Sequence, residues 1–143
     1  MLNRASARQQ IAQQAPAAES DDSFSSQEIA AKLLDQIRDG LQARNSRKML
    51  APFDPQRMPG YALFKDQVEA FFAQYDSFRV YIRLVNTSFQ QDRAVVTASF
   101  QLDAVPRYNT VAVRREDELT FELARADQGW KIIDVRPRSF FSP

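Results

Sequence analysis

The chain of 143 residues has room for one folded domain with a single core. Hydrophobic residues make up 44% of it and charged residues 26%, as in ordinary globular proteins, and 11 Phe supply bulky core side chains. Because it contains no His and no Cys, it excludes Ser-His-Asp and Cys-His catalytic groups, disulfides and histidine-ligated metal sites. Three glycines are too few for a glycine-rich phosphate-binding loop. We therefore expect neither a metal nor a cofactor.

The charges are nearly balanced and mixed along the chain, with 19 Lys and Arg against 18 Asp and Glu. This balance lacks the basic footprint of a nucleic-acid-binding protein, so no nucleic acid partner is expected. No run approaches the roughly 18 consecutive apolar residues of a membrane span. We therefore expect a soluble protein, cytoplasmic as written or exported if an N-terminal signal has been removed, and the compartment stays open.

Residues 1–24 are polar and rich in Gln, Ala and Ser. Such a segment buries too little apolar surface to offset the entropy of ordering, so we predict a disordered tail. A frayed helix from Arg4 to Gln14 is the alternative, because Ala, Gln and Arg favour helices. The folded domain is then expected to span residues 25–143.

Three helices are predicted in the first half of that domain. The first runs from Ser25 to about Arg44, with apolar residues at helical spacing on one side. Gly40, near its end, indicates either a close approach of another backbone or an imperfect last turn, and we favour the second interpretation. A short helical turn follows at Ser46 to Ala51, and then a helix from Tyr61 to Tyr75 with an aromatic face.

From Phe78 onward the apolar period changes from helical to alternating, which predicts an antiparallel meander of four strands. The predicted strands are Phe78 to Asn86, Ala94 to Asp103, near Val111 to just before Asp127, and Trp130 to Arg136. The final segment, Arg138 to Phe141, is predicted to cap the core rather than to contact a partner chain.

The two faces of this sheet differ in chemistry. One face is apolar and can receive the helices. The other carries Arg79 and Arg83 on one strand and Glu116, Glu118 and Glu122 on another. We interpret the charged face as solvated, because exposed ion pairs contribute only about 0.2–1 kcal/mol each and need no functional explanation. A dimer contact is the alternative.

Charged residues enter the apolar face at one place, in the third strand. An unbroken strand would turn Arg115 and Asp117 to the same side as Leu119. There the two charges could pair with each other or with a ligand, and Asp117 is the candidate catalytic base. The interpretation we favour is a break or bulge over Arg114 to Glu118 that leaves both side chains in water.

Helices followed by a curved meander that closes with Gly129-Trp130-Lys131-Ile132-Ile133 resemble the nuclear transport factor 2-like superfamily. That superfamily also holds polyketide-cyclase-like and ketosteroid-isomerase-like proteins. The resemblance covers about Ser25 to Pro137 and includes the aromatic helix. It implies an α+β cone, in which about three helices pack on a curved four-stranded antiparallel sheet. It also implies an apolar pocket in the cone and pairing of two chains through the outer sheet face.

The resemblance implies a pocket rather than a particular reaction. Catalytic members resembling scytalone dehydratase or ketosteroid isomerase use Asp, Tyr or His side chains inside the cone, and this chain departs from that pattern because it has no His. We predict a non-catalytic module that binds a small apolar ligand or a protein partner and forms a homodimer. The alternative is a cofactor-free isomerase or dehydratase with Asp117 as base and Tyr61 or Tyr75 as hydrogen-bond donor.

The candidate ligand-binding residues are four aromatic residues and one cation: Tyr61, Phe64, Tyr75, Phe100 and Arg115. Aromatic stripes at such spacing are more often plain core than pocket lining. The binding module and the enzyme are expected to differ in what the interior of the cone contains. An enzyme is expected to hold an open cavity on the order of hundreds of Å³ with a desolvated carboxylate near a tyrosine hydroxyl. A filled interior would leave only the surfaces for binding.

Overall fold

A computed structural model describes residues 25–108 and 111–143. The predicted tail of residues 1–24, with its alternative helix, lies outside the described residues. The helices are α1 (residues 25–42), α2 (Ser46–Leu50) and α3 (Tyr61–Gln74), and none of the described helices is long and apolar enough to cross a membrane. The strands are β1 (Tyr75–Gln90), β2 (Arg93–Pro106), β3 (Val113–Ala126) and β4 (Gly129–Arg136), followed by a 3-10 helix at Arg138–Phe141.

The four strands form one antiparallel sheet in chain order, β1-β2-β3-β4. With three helices packed on this sheet, the predicted α+β architecture is confirmed. β1 is longer than predicted because it begins directly after α3, at Tyr75, and continues to Gln90. Both extensions are paired with β2, since Tyr75 lies opposite Pro106 and Gln90 lies opposite Arg93.

Gly40 lets the backbones of α1 and α2 touch. A Cβ placed at Gly40 would collide with the backbone nitrogen and Cα of Met49. Met49 and the neighbouring Leu41 are fully buried at this junction, so neither helix can move away without opening the core. The interpretation of Gly40 as an imperfect last turn is therefore wrong, and close packing is the reason for the glycine.

The connection between α2 and α3 runs along the free side of β4. Phe53 forms a parallel bridge with Ile132. The N–H of Ile132 donates to the carbonyl of Pro52 and the N–H of Asp54 donates to the carbonyl of Ile132, both at 2.8 Å. Phe53 is buried by this arrangement, so the connection holds one wall of the core against the sheet.

The core lies between the helices and the inner face of the sheet, and every buried side chain within residues 25–108 and 111–143 is apolar. Along β2 buried and more exposed residues alternate, as the sequence pattern predicts. The largest fully buried side chains are six rings: Phe53, Phe64, Phe71, Phe100, Phe121 and Phe141. Each such burial contributes about 1.5–3 kcal/mol to the stability of the fold.

The segment after β4 folds back onto this core. Phe140 and Phe141, in the 3-10 helix, are both buried. The Phe140 ring lies 5.8 Å from that of Phe100, measured between centroids, in an edge-to-face contact. The prediction that this segment caps the core is confirmed.

Candidate functional site

The inner face of the sheet, where the resemblance implies a pocket, is packed with aromatic rings. Phe100 and Phe121 of the sheet lie 5.8 Å apart between centroids. Phe141 covers them from the side of α3, at 6.1 Å from Phe100 and 6.3 Å from Phe64. The space left between α1 and the sheet, next to Phe121, has no room for a water molecule. The part of the interior that these residues line is therefore filled.

Phe64 and Phe100, two of the candidate ligand-binding residues, belong to this packed interior. Both are almost fully buried, and Phe141 lies between them. Phe64 also contacts Phe53, with 5.3 Å between ring centroids. Their present partners are other rings of the chain, and a role in ligand binding stays a prediction.

Tyr75 and Arg115 both contact the ring of Phe71. The rings of Tyr75 and Phe71 are 5.4 Å apart, and the guanidinium carbon of Arg115 lies 5.0 Å from the Phe71 centroid. Arg115 also donates hydrogen bonds to the carbonyl oxygens of Phe140 at 2.9 Å and of Ser142 at 2.6 Å. The charge of Arg115 is thus held by an aromatic face and by backbone carbonyls of the last segment.

β3 is unbroken through its charged run. Its register with β2 is continuous, so Asp117 lies opposite Phe100 and the favoured break or bulge over Arg114 to Glu118 is wrong. Every residue there keeps the parity that the sequence alternation predicts. Asp117 is nevertheless exposed, and its carboxylate accepts a hydrogen bond from the N–H of Glu118 at 2.8 Å. Arg115 donates to other groups, so the two charges do not pair; a catalytic role of Asp117 stays a prediction.

Tyr61 lies apart from the other candidates, in a cleft between α2, α3 and β4. The cleft has a volume of about 420 Å³ and three basic side chains on its rim: Arg47, Lys65 and Lys131. Lys131 is held there by a hydrogen bond from its Nζ to the carbonyl of Ala51 at 3.1 Å. Because Tyr61 and Tyr75 stand at opposite ends of α3, about 20 Å apart along its axis, they cannot serve one small site together.

The outer face of the sheet carries a groove of about 490 Å³. The outward side chains that line it are Tyr81, Arg83, Ser99, Gln101 and Glu116. Tyr81, at this groove, has 50% of its area exposed. The sequence alternation predicts the charges of this face, but it does not reveal the groove, because that depends on how three strands come together in space.

The charges of the outer face are only partly satisfied within the chain. Asp103 pairs with Arg114 at 2.8 Å, and Glu122 pairs with Arg136. The hydrogen bond from Arg114 lowers the pKa of the Asp103 carboxyl below its ordinary value.

Among the acidic residues of the described segments, no group of three lies close enough to hold a metal ion.

Comparison with known proteins identifies the fold. No protein-family model matches the sequence, and no curated protein matches it. A nuclear transport factor 2-like superfamily protein from Salmonella enterica superimposes with a TM-score of 0.67 at 15% identity, over 80% of this chain and 89% of that one. The chain has the nuclear transport factor 2-like fold.

Two further structures with this fold carry names of enzymes. A protein assigned as a scytalone dehydratase from Novosphingobium aromaticivorans has a TM-score of 0.72 at 11% identity, over 81% of this chain and 85% of that one. A hexachlorocyclohexane dehydrochlorinase from Novosphingobium barchaimii has a TM-score of 0.64 at 14% identity, over 81% and 87%. At such low identity the likeness establishes the nuclear transport factor 2-like fold and leaves the activity open.

Within this nuclear transport factor 2-like cone, two contacts beside the candidate residues were not predicted from the sequence. The sequence predicts that Arg138 to Phe141 cap the core, but it does not predict that Phe140 and Phe141 occupy the space beside Phe100. It also did not foresee that Arg115 would be held by the same segment. The signal available was the pair of adjacent phenylalanines after the last strand, a strongly apolar element in an otherwise polar ending.

Proposed function

We propose that this nuclear transport factor 2-like domain is a non-catalytic binding module that forms a homodimer and binds through its surface. The packed inner face supports this most directly, because the rings of Phe140 and Phe141 fill the space beside Phe100 and Phe64. A small-molecule site normally buries most of its ligand in a concave cavity. With that space taken by the chain's own side chains, the outer face is the better candidate for binding.

The acidic residues also support a non-catalytic role. A carboxylate base that works near neutral pH needs a raised pKa, which burial in apolar surroundings provides. Asp117 is exposed to water, and Arg114 moves the pKa of Asp103 in the opposite direction. An exposed Asp117 and an Asp103 carboxylate stabilised by Arg114 both favour a binding role over general base catalysis.

The filled interior is tested by thermal unfolding with and without benzene, a probe small enough for a single-ring cavity. The wild-type protein is expected to show no benzene-dependent rise in Tm. Phe141→Ala removes a fully buried ring and is expected to lower the free energy of unfolding by about 3–5 kcal/mol. Because the substitution leaves a cavity, the Tm of this variant is expected to rise when benzene is added. Phe89→Ala, beside Trp130, removes a ring outside this cluster and is the control. A rise in Tm of the wild-type protein with benzene would contradict the proposal.

The homodimer is tested by sedimentation equilibrium at micromolar concentrations of the full chain. We expect twice the mass of the chain, with dissociation on dilution. A single-chain mass at every concentration would overturn this part of the proposal.

A cofactor-free isomerase or dehydratase is the second candidate, and the names of two neighbours, a scytalone dehydratase assignment and a dehydrochlorinase, favour it. In this version Asp117 is the base and Tyr75 a hydrogen-bond donor. The substrate would contact Arg115 and the inner rings after the last segment moves away. If a panel of β-hydroxy and β-halo substrates reveals turnover, Asp117→Asn should abolish it, and unchanged turnover would eliminate Asp117 as the base.

A further inference from the structure

We infer that the cleft between α2, α3 and β4 binds a small organic acid, in which a carboxylate is attached to an apolar body of one or two rings. The inference goes beyond the proposed function, because it does not depend on a homodimer and concerns another surface. Of the described residues, none lines both this cleft and the groove of the outer face. Three features of the cleft carry the inference: its walls and fixed apolar base, its excess of positive charge, and its volume.

Two helices form the walls of the cleft. Tyr61, Lys65 and Glu69 follow one another at intervals of four residues, so they lie on one face of α3. Arg47 and Leu50, three residues apart, lie on one face of α2 in the same way. Side chains from two elements that are separate in the sequence therefore line a common space.

The base of the cleft is apolar and is held in place by the backbone. Leu50 and Phe53 line the cleft although both are buried, so they form its base. The N–H of Phe53 donates to the carbonyl of Leu50 at 2.9 Å, and Phe53 is bridged to Ile132 of β4. The Phe53 ring also packs against that of Phe64, with 5.3 Å between centroids. A base that is already ordered lowers the entropic cost of binding a ligand.

Positive charge exceeds negative charge around the cleft. Its lining includes three cations, Arg47, Lys65 and Lys131, and one carboxylate, that of Glu69, which lies 3.9 Å from the Nζ of Lys65. Within residues 25–108 and 111–143, Arg47 forms no ion pair. Lys131 donates one N–H to the carbonyl of Ala51, so two of its donors remain. Arg47 and Lys131 can therefore both donate to an anionic group.

The volume of the cleft favours a small molecule over a protein partner. About 420 Å³ lies within the range of small-molecule sites, roughly 300–1,000 Å³. A stable protein interface engages about 20–30 residues on each side. Only ten of the described residues line this cleft, so it fits a ligand of one or two rings.

Tyr61 can contact both parts of such a ligand. It is partly buried, and it lines the cleft together with the apolar base. Its ring can pack against an apolar body, and its hydroxyl can donate to a carboxylate. An inorganic anion would use the cations and leave the apolar base without a partner. An organic acid uses both.

Binding is tested by NMR titration of the full chain with 2-naphthoate at low ionic strength. Naphthalene-2-methanol supplies the rings without the charge, and acetate supplies the charge without the rings. We expect 2-naphthoate to shift the amides of residues 46–55 and of Lys131. We expect each of the other two probes to bind about tenfold more weakly or less, because each lacks one of the two recognised parts.

Variants of opposite expected effect test the role of the charges. Arg47→Gln and Lys131→Gln are each expected to raise the Kd for 2-naphthoate by about three- to tenfold, because each removes one charged donor. Glutamine at position 131 keeps an N–H for the carbonyl of Ala51. Glu69→Gln is expected to lower the Kd by about two- to fivefold, because it removes the carboxylate and releases Lys65. An unchanged Tm in each variant shows that the effects do not come from unfolding.

Two control variants and the position of the shifts make the result decisive. Lys32→Gln on α1 and Arg83→Gln at the outer-face groove each remove an exposed cation that does not line the cleft, so both should leave the Kd unchanged. A Kd that changes in Arg83→Gln and not in Arg47→Gln would overturn the inferred position. Equal affinity for 2-naphthoate and naphthalene-2-methanol, or no binding, would overturn this inference alone. Shifts confined to Phe100 and Phe121 would overturn it and would also contradict the filled interior of the proposed function.

Discussion

Asp103 on β2 and Arg114 on β3 form a two-pronged ion pair on the outer face. Arg114 donates from Nε to Oδ1 at 2.8 Å and from Nη2 to Oδ2 at 3.3 Å. This hydrogen bonding, assisted by the charge of nearby Arg79, lowers the pKa of the Asp103 carboxyl. A carboxyl with a lower pKa in the folded than in the unfolded chain stabilises the fold above its unfolded pKa of about 3.9, and the effect disappears as pH falls through the folded pKa.

Arg114→Gln is therefore expected to raise the pKa of Asp103 toward its ordinary value. An NMR titration of the Asp103 carboxyl carbon measures the shift directly. The difference in free energy of unfolding between variant and wild type should be largest above the unfolded pKa and should vanish in strong acid. Arg93→Gln, at the other end of β2, is the control and should leave the titration unchanged. The same titration midpoint in Arg114→Gln and wild type would refute the assignment.

Gly40 provides a second prediction at the level of one residue. A Gly→Ala change inside a helix usually stabilises by about 1 kcal/mol. Here the added methyl group meets the backbone of Met49, which cannot rotate away as a side chain could. We therefore expect Gly40→Ala to lower the free energy of unfolding, measured in urea, by about 1–3 kcal/mol. Ala31→Gly, on the exposed side of α1, measures the propensity effect alone. A stabilised Gly40→Ala variant would show that the two helices can separate at little cost.

Among the elements, the 3-10 helix Arg138–Phe141 is held by polar contacts on several sides. Gln67 of α3 donates to the carbonyl of Arg138 at 2.6 Å, and Arg138 pairs with Asp134 of β4 at 2.7 Å. Arg115 of β3 contributes the contacts with the carbonyls of Phe140 and Ser142. Three elements of the domain therefore fix the position of this one.

Arg115→Met tests this attachment because it keeps the length of the side chain and removes its donors. Two carbonyls then lose a charged hydrogen-bond partner, each worth about 1.5–3 kcal/mol. We expect faster hydrogen exchange at residues 140–142, with amides of β2 unchanged, because the opening is local. Arg47→Met, on the exposed surface of α2, should change neither rate. Equal protection in Arg115→Met and wild type would indicate that ring packing alone holds the segment.

The limits of the sequence prediction are also clearest among the elements. Alternation in β2 and β3 is a local property, so it predicts both strands and their inner faces. The start of β1 is set by pairing with Pro106, a distant residue, and the turn-like Asp76 and Ser77 suggested a later start. The charged run of β3 suggested a bulge, but continuous pairing with β2 satisfies its backbone and keeps it extended.

On the scale of the whole molecule, the nuclear transport factor 2-like cone was predictable and its contents were not. The change from helical to alternating period indicates the order of elements, and the closing Gly129-Trp130 strand supports the resemblance. Contacts between Phe100 and Phe140, or between Arg115 and the last carbonyls, join parts of the chain that no local pattern relates. The candidate site therefore could not be predicted from the sequence, because its residues come together only when the chain packs.

The bridge between Phe53 and Ile132 affects how this sheet can grow. The N–H and carbonyl of Ile132 are already bonded to the connection between α2 and α3. Another chain therefore cannot form backbone hydrogen bonds with the middle of β4. On β1, the other outer strand of the described sheet, the N–H of Val80 is bonded as well, to the side-chain oxygen of Gln42 at 2.9 Å. Each outer strand therefore has a central backbone position that is already bonded, which opposes the addition of further strands and the growth of a fibril.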